Sequence, residues 1–270
     1  SNNASNGFVL TAGTSNHDAT NGSGNTYVAW CWKAGGAAVS NTDGTITSSV
    51  SANTTAGFSI VTYTGNGSNS TVGHGLNQAP ELVMYKRRNA DQGWGVYSSE
   101  LAANQYLQLD VTSAAFSSQN TIFNNTRPTS SVLHIGTQGS TNASSGTYVA
   151  YAWHSVEGFS KFGSYDGNSN SDGRFIYLGF KPAWLLIKRA TANDSWFIFD
   201  STRSTSNPVG EALVADLTSA GSNLEYVDFL SNGFKLRTNA GDVNLGSVYI
   251  YMAFAEHPTG GENAPPATAH

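Results

Sequence analysis

The chain carries one segment of about 100 residues twice, and this duplication restricts its fold more than any other sequence feature. GFSIVTYTGNG, which starts at Gly57, returns at Gly158 as GFSKFGSYDGN, and QAPELVMYKRR returns as FKPAWLLIKRA. QGWGVYSS matches DSWFIFDS, LQLDVTSAA matches LVADLTSAG, and GTYVAYAWHSVEG matches GSVYIYMAFAEHP. Because these matches occur in one order, we predict two copies of one domain.

The first 36 residues resemble the end of a third copy. TYVAWCWKAGG aligns Tyr27 with Tyr148 and Trp32 with Trp153, and SNGFVLTAG resembles SNGFKLRTN near the end of the second repeat. Residues 1–36 are therefore predicted to be the closing strands of an incomplete repeat, completed by upstream sequence or by another part of an assembly.

That assignment makes a prediction about burial. Tyr27, Trp30 and Trp32 should be largely covered by protein, because three exposed aromatic side chains would forgo several kcal/mol at roughly 25 cal/mol per Å². Upstream sequence or a neighbouring subunit is the favoured cover. Cys31 is the one cysteine, which excludes an intrachain disulfide framework, and it is predicted to be a small buried hydrophobe.

Short runs rich in Val, Ile, Tyr, Phe and Trp, separated by Gly, Asn and Ser, are typical of antiparallel strands. The predicted fold class is all-β, with tandem antiparallel β-sandwich repeats of jelly-roll or lectin-like type. The predicted organisation is closing strands at 1–36, a linker or extended arm at 37–56, sandwich repeats at 57–156 and 157–258, and a flexible tail at 259–270.

Charge argues against nucleic acid as a partner, and the length of the apolar runs argues against membrane insertion. Charged residues make up 11% of the chain against a usual ~25%, and the net charge is −5. The one basic cluster is Lys86-Arg87-Arg88, so we predict no nucleic-acid binding. No apolar run approaches the ~20 residues of a membrane span, and no membrane insertion is predicted.

Acidic residues offer weak candidates for catalysis. Asp110 has a counterpart in Asp216, and Glu157 has one in Glu256, which favours structural reuse in each repeat over a single active site. No G-x-S-x-G elbow is present, and Cys31 has no identifiable histidine partner. We predict no enzymatic activity and no catalytic residues. The acidic candidates considered are Glu100, Asp110, Glu157, Asp200, Glu211 and Glu256.

Metal ligands are scattered. The histidines form no paired motif; they are His17, His74, His134, His154, His257 and His270. DGNSNSDG alternates Asp166, Asn168, Asn170 and Asp172 as a calcium loop does, but Tyr177 stands where the closing glutamate would be. A polar hairpin turn is the favoured interpretation. No metal and no cofactor are predicted.

Aromatic residues raise the question of carbohydrate binding, because their faces stack on sugar rings. The matched positions of Trp94 with Trp196 and of Trp32 with Trp153 favour a role in the core. The tryptophans are Trp30, Trp32, Trp94, Trp153, Trp184 and Trp196. Loops that differ between the repeats are better candidates for partner contacts, although the sequence does not say which one binds. They are Arg87 to Gly93, Asn120 to Ser130 and Ser201 to Glu211.

The ordered motifs TYVAWCWKAGG, GFSIVTYTGNG, GFSKFGSY and FLSNGFKLRT resemble a repeat domain of unknown function found in tail-fibre-like and other structural proteins of marine bacteriophages. The resemblance covers Gly7 to Pro258 and carries no established catalytic residues. It implies a non-enzymatic virion protein, a tail fibre or receptor-binding appendage at the virion surface. Its expected partners are other virion proteins, further copies in a homotrimer and a host surface glycan.

Two alternatives stay open. A capsid decoration or head-fibre protein would have the same composition and repeats. A glycan-active enzyme or secreted carbohydrate-binding module belongs to another class, and release of reducing ends would distinguish the enzyme from a binder.

Overall fold

The computed structural model describes residues 3–4, 7–10, 21–117, 120–218 and 221–257. It is all-β, with 42% strand and 5% helix, which confirms the predicted class. The chain divides into two compact units, Ser1–Trp32 and Lys33–His270. Within the described residues, no helix is both long and apolar enough to cross a membrane.

In the described part of the first unit, β1 (Asn3–Ala4) pairs antiparallel with β2 (Gly7–Phe8). Residues 21–32 form no strand in this structure, so the closing strand predicted there is not observed. Cys31 is exposed, and its predicted burial is therefore wrong for the single chain. Tyr27 stays 47% exposed, and its shielding in an assembly stays a prediction.

The first half of the second unit is built on a seven-stranded antiparallel sheet. Its strand order is β3 (Val39–Asn41), β4 (Ser48–Asn53), β5 (Phe58–Thr64), β11 (Thr147–Trp153), β7 (Leu82–Arg87), β8 (Gly95–Ser98) and β9 (Leu107–Gln108). A separate pair, β6 (Ser70–Gly73) with β10 (Val132–Ile135), completes this half. Val61, Tyr85 and Ala150 of the large sheet share one core with Val72 and Leu133 of the pair.

Residues 37–56 are not a linker. They supply β3 and β4, and β4 pairs with β5 in register from Ser49↔Thr62 to Asn53↔Phe58. The predicted arm was wrong because it rested on the lack of large aromatic residues. The Asp43-Gly44 turn between two short β-branched runs is a hairpin signal, and Val50 is 3% exposed.

The second half forms one eight-stranded sheet. Its strand order is β12 (Ser160–Asp166), β19 (Val248–Ala255), β14 (Pro182–Arg189), β15 (Trp196–Asp200), β16 (Val209–Val214), β17 (Ser222–Leu230), β18 (Gly233–Leu236) and β13 (Phe175–Tyr177). The consecutive strands β12 and β13 lie at opposite ends of this order, joined only by residues 167–174. The sheet therefore curls into a nearly closed, barrel-like shape around its core.

The two halves share a strand order. The run β5-β11-β7-β8-β9 corresponds to β12-β19-β14-β15-β16, and each is entered through a glycine with positive φ, Gly57 at 63° and Gly158 at 72°. Strand β17, which joins the two parts of the second sheet, has no counterpart among the described residues of the first half. Duplicated strand order is thus observed, and the tandem jelly-roll arrangement stays a prediction.

Candidate functional site

Buried asparagines hold the strand connections in both halves. In the first half, the one-turn helix α2 (Gly139–Asn142) ends at Asn142, whose side-chain oxygen accepts a hydrogen bond from Asn66 N at 2.9 Å and whose amide donates to Gly136 O at 2.8 Å. In the second half, α3 (Gly241–Asn244) ends at Asn244, which accepts from Asn168 N at 3.0 Å. Both asparagines are fully buried, so these amides are structural.

Tyrosine pairs repeat in the same way. Tyr63 stacks on Tyr148 with ring centroids 5.1 Å apart, and Tyr165 stacks on Tyr249 at the same separation. The Tyr148 hydroxyl donates to Gly139 O at 2.7 Å, and the Tyr249 hydroxyl makes the equivalent bond at the start of α3. Burial raises the pKa of all four hydroxyls, so they stay neutral donors.

A lysine, a tryptophan and an aspartate form a third duplicated group. In the first half, Lys86 Nζ donates to Gln92 O at 2.5 Å and lies 5.6 Å from the centroid of the Trp94 ring. Asp110 accepts from Trp94 N at 2.9 Å, which fixes the turn after β9. Lys86 and Trp94 remain half-buried.

The second copy of this group is fully covered. Lys188 donates to Asp194 O at 2.6 Å and to Thr112 O of the first half at 3.0 Å, and Asp216 accepts from Trp196 N at 2.8 Å. Burial lowers the pKa of Lys188 to about 8, although Asp194 and Asp216 favour its charged form. Both side chains of the Lys188–Trp196 pair are 0% exposed.

An open cleft of about 610 Å³ lies in the first half, where β3 and β4 flank β5 and β11. We call it the hydroxyl cleft, because Ser and Thr supply most of its walls. Its lining residues are Ser40, Ile46, Thr47, Ser48, Ser49, Thr62, Tyr63, Thr64, Arg88, Thr147 and Tyr148. Ser40, Thr47, Ser49 and Thr64 are exposed, so their hydroxyl groups can meet a ligand.

The chemistry of the hydroxyl cleft is polar with a single cation. Tyr63 and Tyr148 are buried in the core, and their hydroxyls donate inward to Thr141 O and Gly139 O, so their side chains are not available to a ligand in the cleft. Arg88 is exposed and supplies a guanidinium that can bind a carboxylate in bidentate fashion. The set suits a hydroxylated ligand, neutral or anionic.

Among the described residues of the second half, β12, the counterpart of β5, pairs only with β19, so no strands stand there in the places of β3 and β4. Sequence analysis missed the cleft because it treated 37–56 as a linker. The signal was available in ITSSVSANTT, where small and β-branched residues alternate as a strand requires.

The acidic candidates are dispersed and several hold local structure. Asp200 accepts from Arg203 N and Nε, at 2.9 and 2.6 Å, and Glu256 pairs with Lys181 at 2.8 Å. Glu100 accepts from Ser164 Oγ at 2.5 Å. Glu157 and Glu211 are exposed, and none of these acids lines the hydroxyl cleft.

Two of the described histidines, His74 and His154, are buried and hydrogen-bonded within the fold, whereas His257 is exposed. His74 Nδ1 accepts from Leu76 N at 3.1 Å and its Nε2 lies 3.1 Å from Thr129 O, which fixes a neutral ring; burial lowers its pKa. His154 is buried, and burial lowers the pKa of His134. His17 and His270 lie outside the described residues.

The DGNSNSDG segment joins β12 to β13, which do not pair, so it is not the hairpin turn that we predicted. Asn168 Oδ1 accepts from Asn170 N, and Asn170 Oδ1 accepts from Asp172 N, so the candidate calcium ligands are used within the loop. Asp172 pairs with Lys235 at 2.7 Å, which lowers the pKa of this carboxyl. Among the described residues, no cluster of His, Cys, Asp or Glu could hold a metal ion.

The tryptophans fall into two groups. Trp153, Trp184 and Trp196 are buried, as the core interpretation predicts, whereas Trp94 is half-buried. Trp30 and Trp32 are also half-buried.

Of the three loops proposed for partner contacts, Arg87 to Gly93 reaches the hydroxyl cleft through Arg88. Asn120 to Ser130 contains α1 (Asn120–Phe123), whose Ile122 and Phe123 are buried in the core. Ser201 to Glu211 folds on itself, with Ser204 Oγ accepting from the backbone at 2.9 Å.

Residues 1–258 match the family described as a domain of unknown function, DUF7483. The chain belongs to this family. No curated protein and no solved structure matches it. The DUF7483 match covers both repeats and the N-terminal unit together, which agrees with the span of the sequence resemblance.

Proposed function

We propose that this DUF7483 chain is a non-enzymatic structural protein of a bacteriophage virion, a tail fibre or receptor-binding appendage, and that its hydroxyl cleft binds a host surface glycan. The observation that carries the binding role is the cleft lining. It offers exposed Ser and Thr hydroxyls and the Arg88 guanidinium, which can bind sugars without reacting with them.

The contrast with a glycosidase supports this choice. Glycoside hydrolysis commonly needs two carboxyl groups about 5–10 Å apart around the bond that is cut. No residue that lines the hydroxyl cleft is acidic. Asp200 instead holds Arg203, and Glu256 holds Lys181. The phage context itself rests on the sequence resemblance.

A glycan array tests the binding role. The purified chain should retain glycans, and Arg88→Ala should weaken binding of acidic glycans by roughly tenfold, the loss of about 1.4 kcal/mol. Arg174→Ala, which removes an exposed arginine from the second half, is the matched control and should bind like the parent. Equal loss in both variants would point to non-specific charge and contradict the cleft assignment.

Two further observations decide between the proposal and its alternatives. Release of reducing ends from a retained glycan, lost on Glu100→Gln or Asp200→Asn, would replace the binder with an enzyme. Labelled antibody on intact particles should mark the tail, whereas label over the capsid would identify a decoration or head-fibre protein.

A further inference from the structure

One stretch of the first half crosses to the second half and covers the Lys188–Trp196 pair. Trp196 Nε1 donates to Gln108 O at 2.8 Å, and Lys188 Nζ donates to Thr112 O at 3.0 Å. The backbone N–H of Asp194 also donates to Thr112 O, at 2.7 Å. We call residues 108–112 the bridging segment, because its carbonyl groups accept hydrogen bonds from Trp196 Nε1, Lys188 Nζ and Asp194 N of the second half.

The second half carries the same segment in the same place. Val214 pairs with Phe197 as Gln108 pairs with Gly95, and the Asp216 carboxylate accepts from Trp196 N as Asp110 does from Trp94 N. Residues 214–218 are therefore a second bridging segment, with the sequence VADLT in place of QLDVT.

This second bridging segment is exposed at its tip. Leu217 is 53% exposed, whereas Val111, at the equivalent position of the first segment, is half-buried. An exposed leucine at a tight turn carries apolar surface that favours a protein partner.

Each half also contains the surface on which a bridging segment can lie. In the second half, Leu186, Lys188, Trp196 and Met252 are 3%, 0%, 0% and 1% exposed. Their counterparts in the first half are all half-buried, and we call them the tryptophan face: Met84, Lys86, Trp94 and Tyr151.

The tryptophan face also has donor capacity. Lys86 Nζ has one acceptor among the described residues, Gln92 O, where Lys188 has two. Trp94 Nε1 has no acceptor in the part of the chain that the structure describes, where Trp196 Nε1 has Gln108 O. The face therefore lacks the two carbonyl groups that a bridging segment supplies.

We propose that a second copy of this chain docks head to tail, with residues 214–218 of one copy on the tryptophan face of the next. Thr218 O would accept from Lys86 Nζ, and Val214 O from Trp94 Nε1, as Thr112 O and Gln108 O do within the chain. The occupant is a second copy because this chain itself carries both a spare bridging segment and an incompletely covered face of the matching sequence.

The contact is heterologous, since different surfaces of the two copies meet. Such a contact closes into a ring when the rotation between copies allows it, and otherwise continues as a filament. The inference does not depend on a virion location or on glycan binding, so it stands or fails separately from the proposed function.

Two variants on opposite sides of the contact test it. Leu217→Asp places a charge on the exposed tip, and Lys86→Glu reverses the charge on the half-buried face. Each alone should weaken self-association by roughly tenfold or more in sedimentation velocity over a concentration series. Val39→Asp, at a side chain 66% exposed on the edge strand β3, is the control and should associate like the parent.

Mixing the two variants gives the decisive readout. Each retains one intact surface, so an equimolar mixture should form a 1:1 dimer that grows no further, whereas a contact between two identical surfaces would not be rescued. If circular dichroism shows that Lys86→Glu is poorly folded, Trp94→Phe takes its place in the test. This variant keeps an aromatic ring but removes the indole N–H, and it should weaken self-association several-fold. A parent chain that is monomeric throughout, or a mixture without dimer, overturns the proposal.

Discussion

Trp94 and Trp196 occupy the same position in the two halves, and each is held by an aspartate and stacked near a lysine. Trp196 is nevertheless fully buried and Trp94 half-buried. The local sequence is so similar that it cannot account for the difference. What differs is the neighbour, because residues 108–112 of the first half lie over the second. Local sequence thus fixes the hydrogen-bond network, and tertiary packing fixes the burial.

The largest expected effect tests this directly. Trp196→Ala removes a 0% exposed indole and its bond to Gln108 O, and should lower the free energy of unfolding by about 3–5 kcal/mol. Trp94→Ala removes a half-buried ring and should cost roughly half as much. Urea unfolding at protein concentrations that keep the chain monomeric measures both. Equal losses would mean that the bridging segment contributes little.

Where the two halves make the same hydrogen bonds, equivalent substitutions should lower the free energy of unfolding by the same amount. Asn142→Ala and Asn244→Ala each remove a buried amide with three hydrogen-bond acceptors, and each should destabilise by about 2–3 kcal/mol. Asn170→Ala, at an exposed position of the adjoining loop, is the milder comparison. A difference above about 1 kcal/mol between the two buried sites would show that the halves are not energetically equivalent.

Much of this pattern was readable from the sequence, for a physical reason. Matching Tyr148 with Tyr249 and Asp110 with Asp216 predicted paired positions, and both pairs make the same bonds in each half. Such contacts depend on residues near each other in a duplicated unit, so similarity in sequence carries over to structure.

Other features depend on contacts that no single segment encodes. The hydroxyl cleft needs β3 and β4 beside β5, and only the pairing of Ser49 with Thr62 reveals that these strands join the sheet. The burial of Lys188 depends on Thr112, far away in sequence. Residues 21–32 form no strand although they resemble β11 closely, so strand-like local sequence does not by itself make a strand.

The two halves should also differ in how pH affects their stability. His74 precedes Gly75, which has positive φ, as Leu178 precedes Gly179 in the second half. Burial lowers the pKa of His74 below 6.5, so the unfolded chain takes up this proton at a higher pH than the native chain does. The free energy of unfolding should therefore fall as pH drops below 6.5.

Substitution at His74 isolates this contribution. His74→Leu introduces the residue that the second half has at Leu178. It should reduce the pH dependence of the free energy of unfolding, measured by denaturant unfolding between pH 5 and 8. His257→Leu, at an exposed histidine, should leave it unchanged. A profile that stays as steep in His74→Leu as in the parent would assign the effect to other groups.

The last expected effect is the pH dependence contributed by Lys188, the lysine that the bridging segment covers. The pKa of this lysine is lowered from 10.5 to about 8, first by burial, so above pH 8 the native chain releases a proton that the unfolded chain keeps. The free energy of unfolding should then rise with pH from about 8 to 10, before the buried tyrosines, whose pKa is raised above 10.0, reverse the trend. Lys188→Met should abolish the rise, and Lys33→Met, at an exposed residue, should preserve it. If Lys188→Met still gains stability over this interval, the bridging segment does not bury the amine, and the contrast between the two halves disappears.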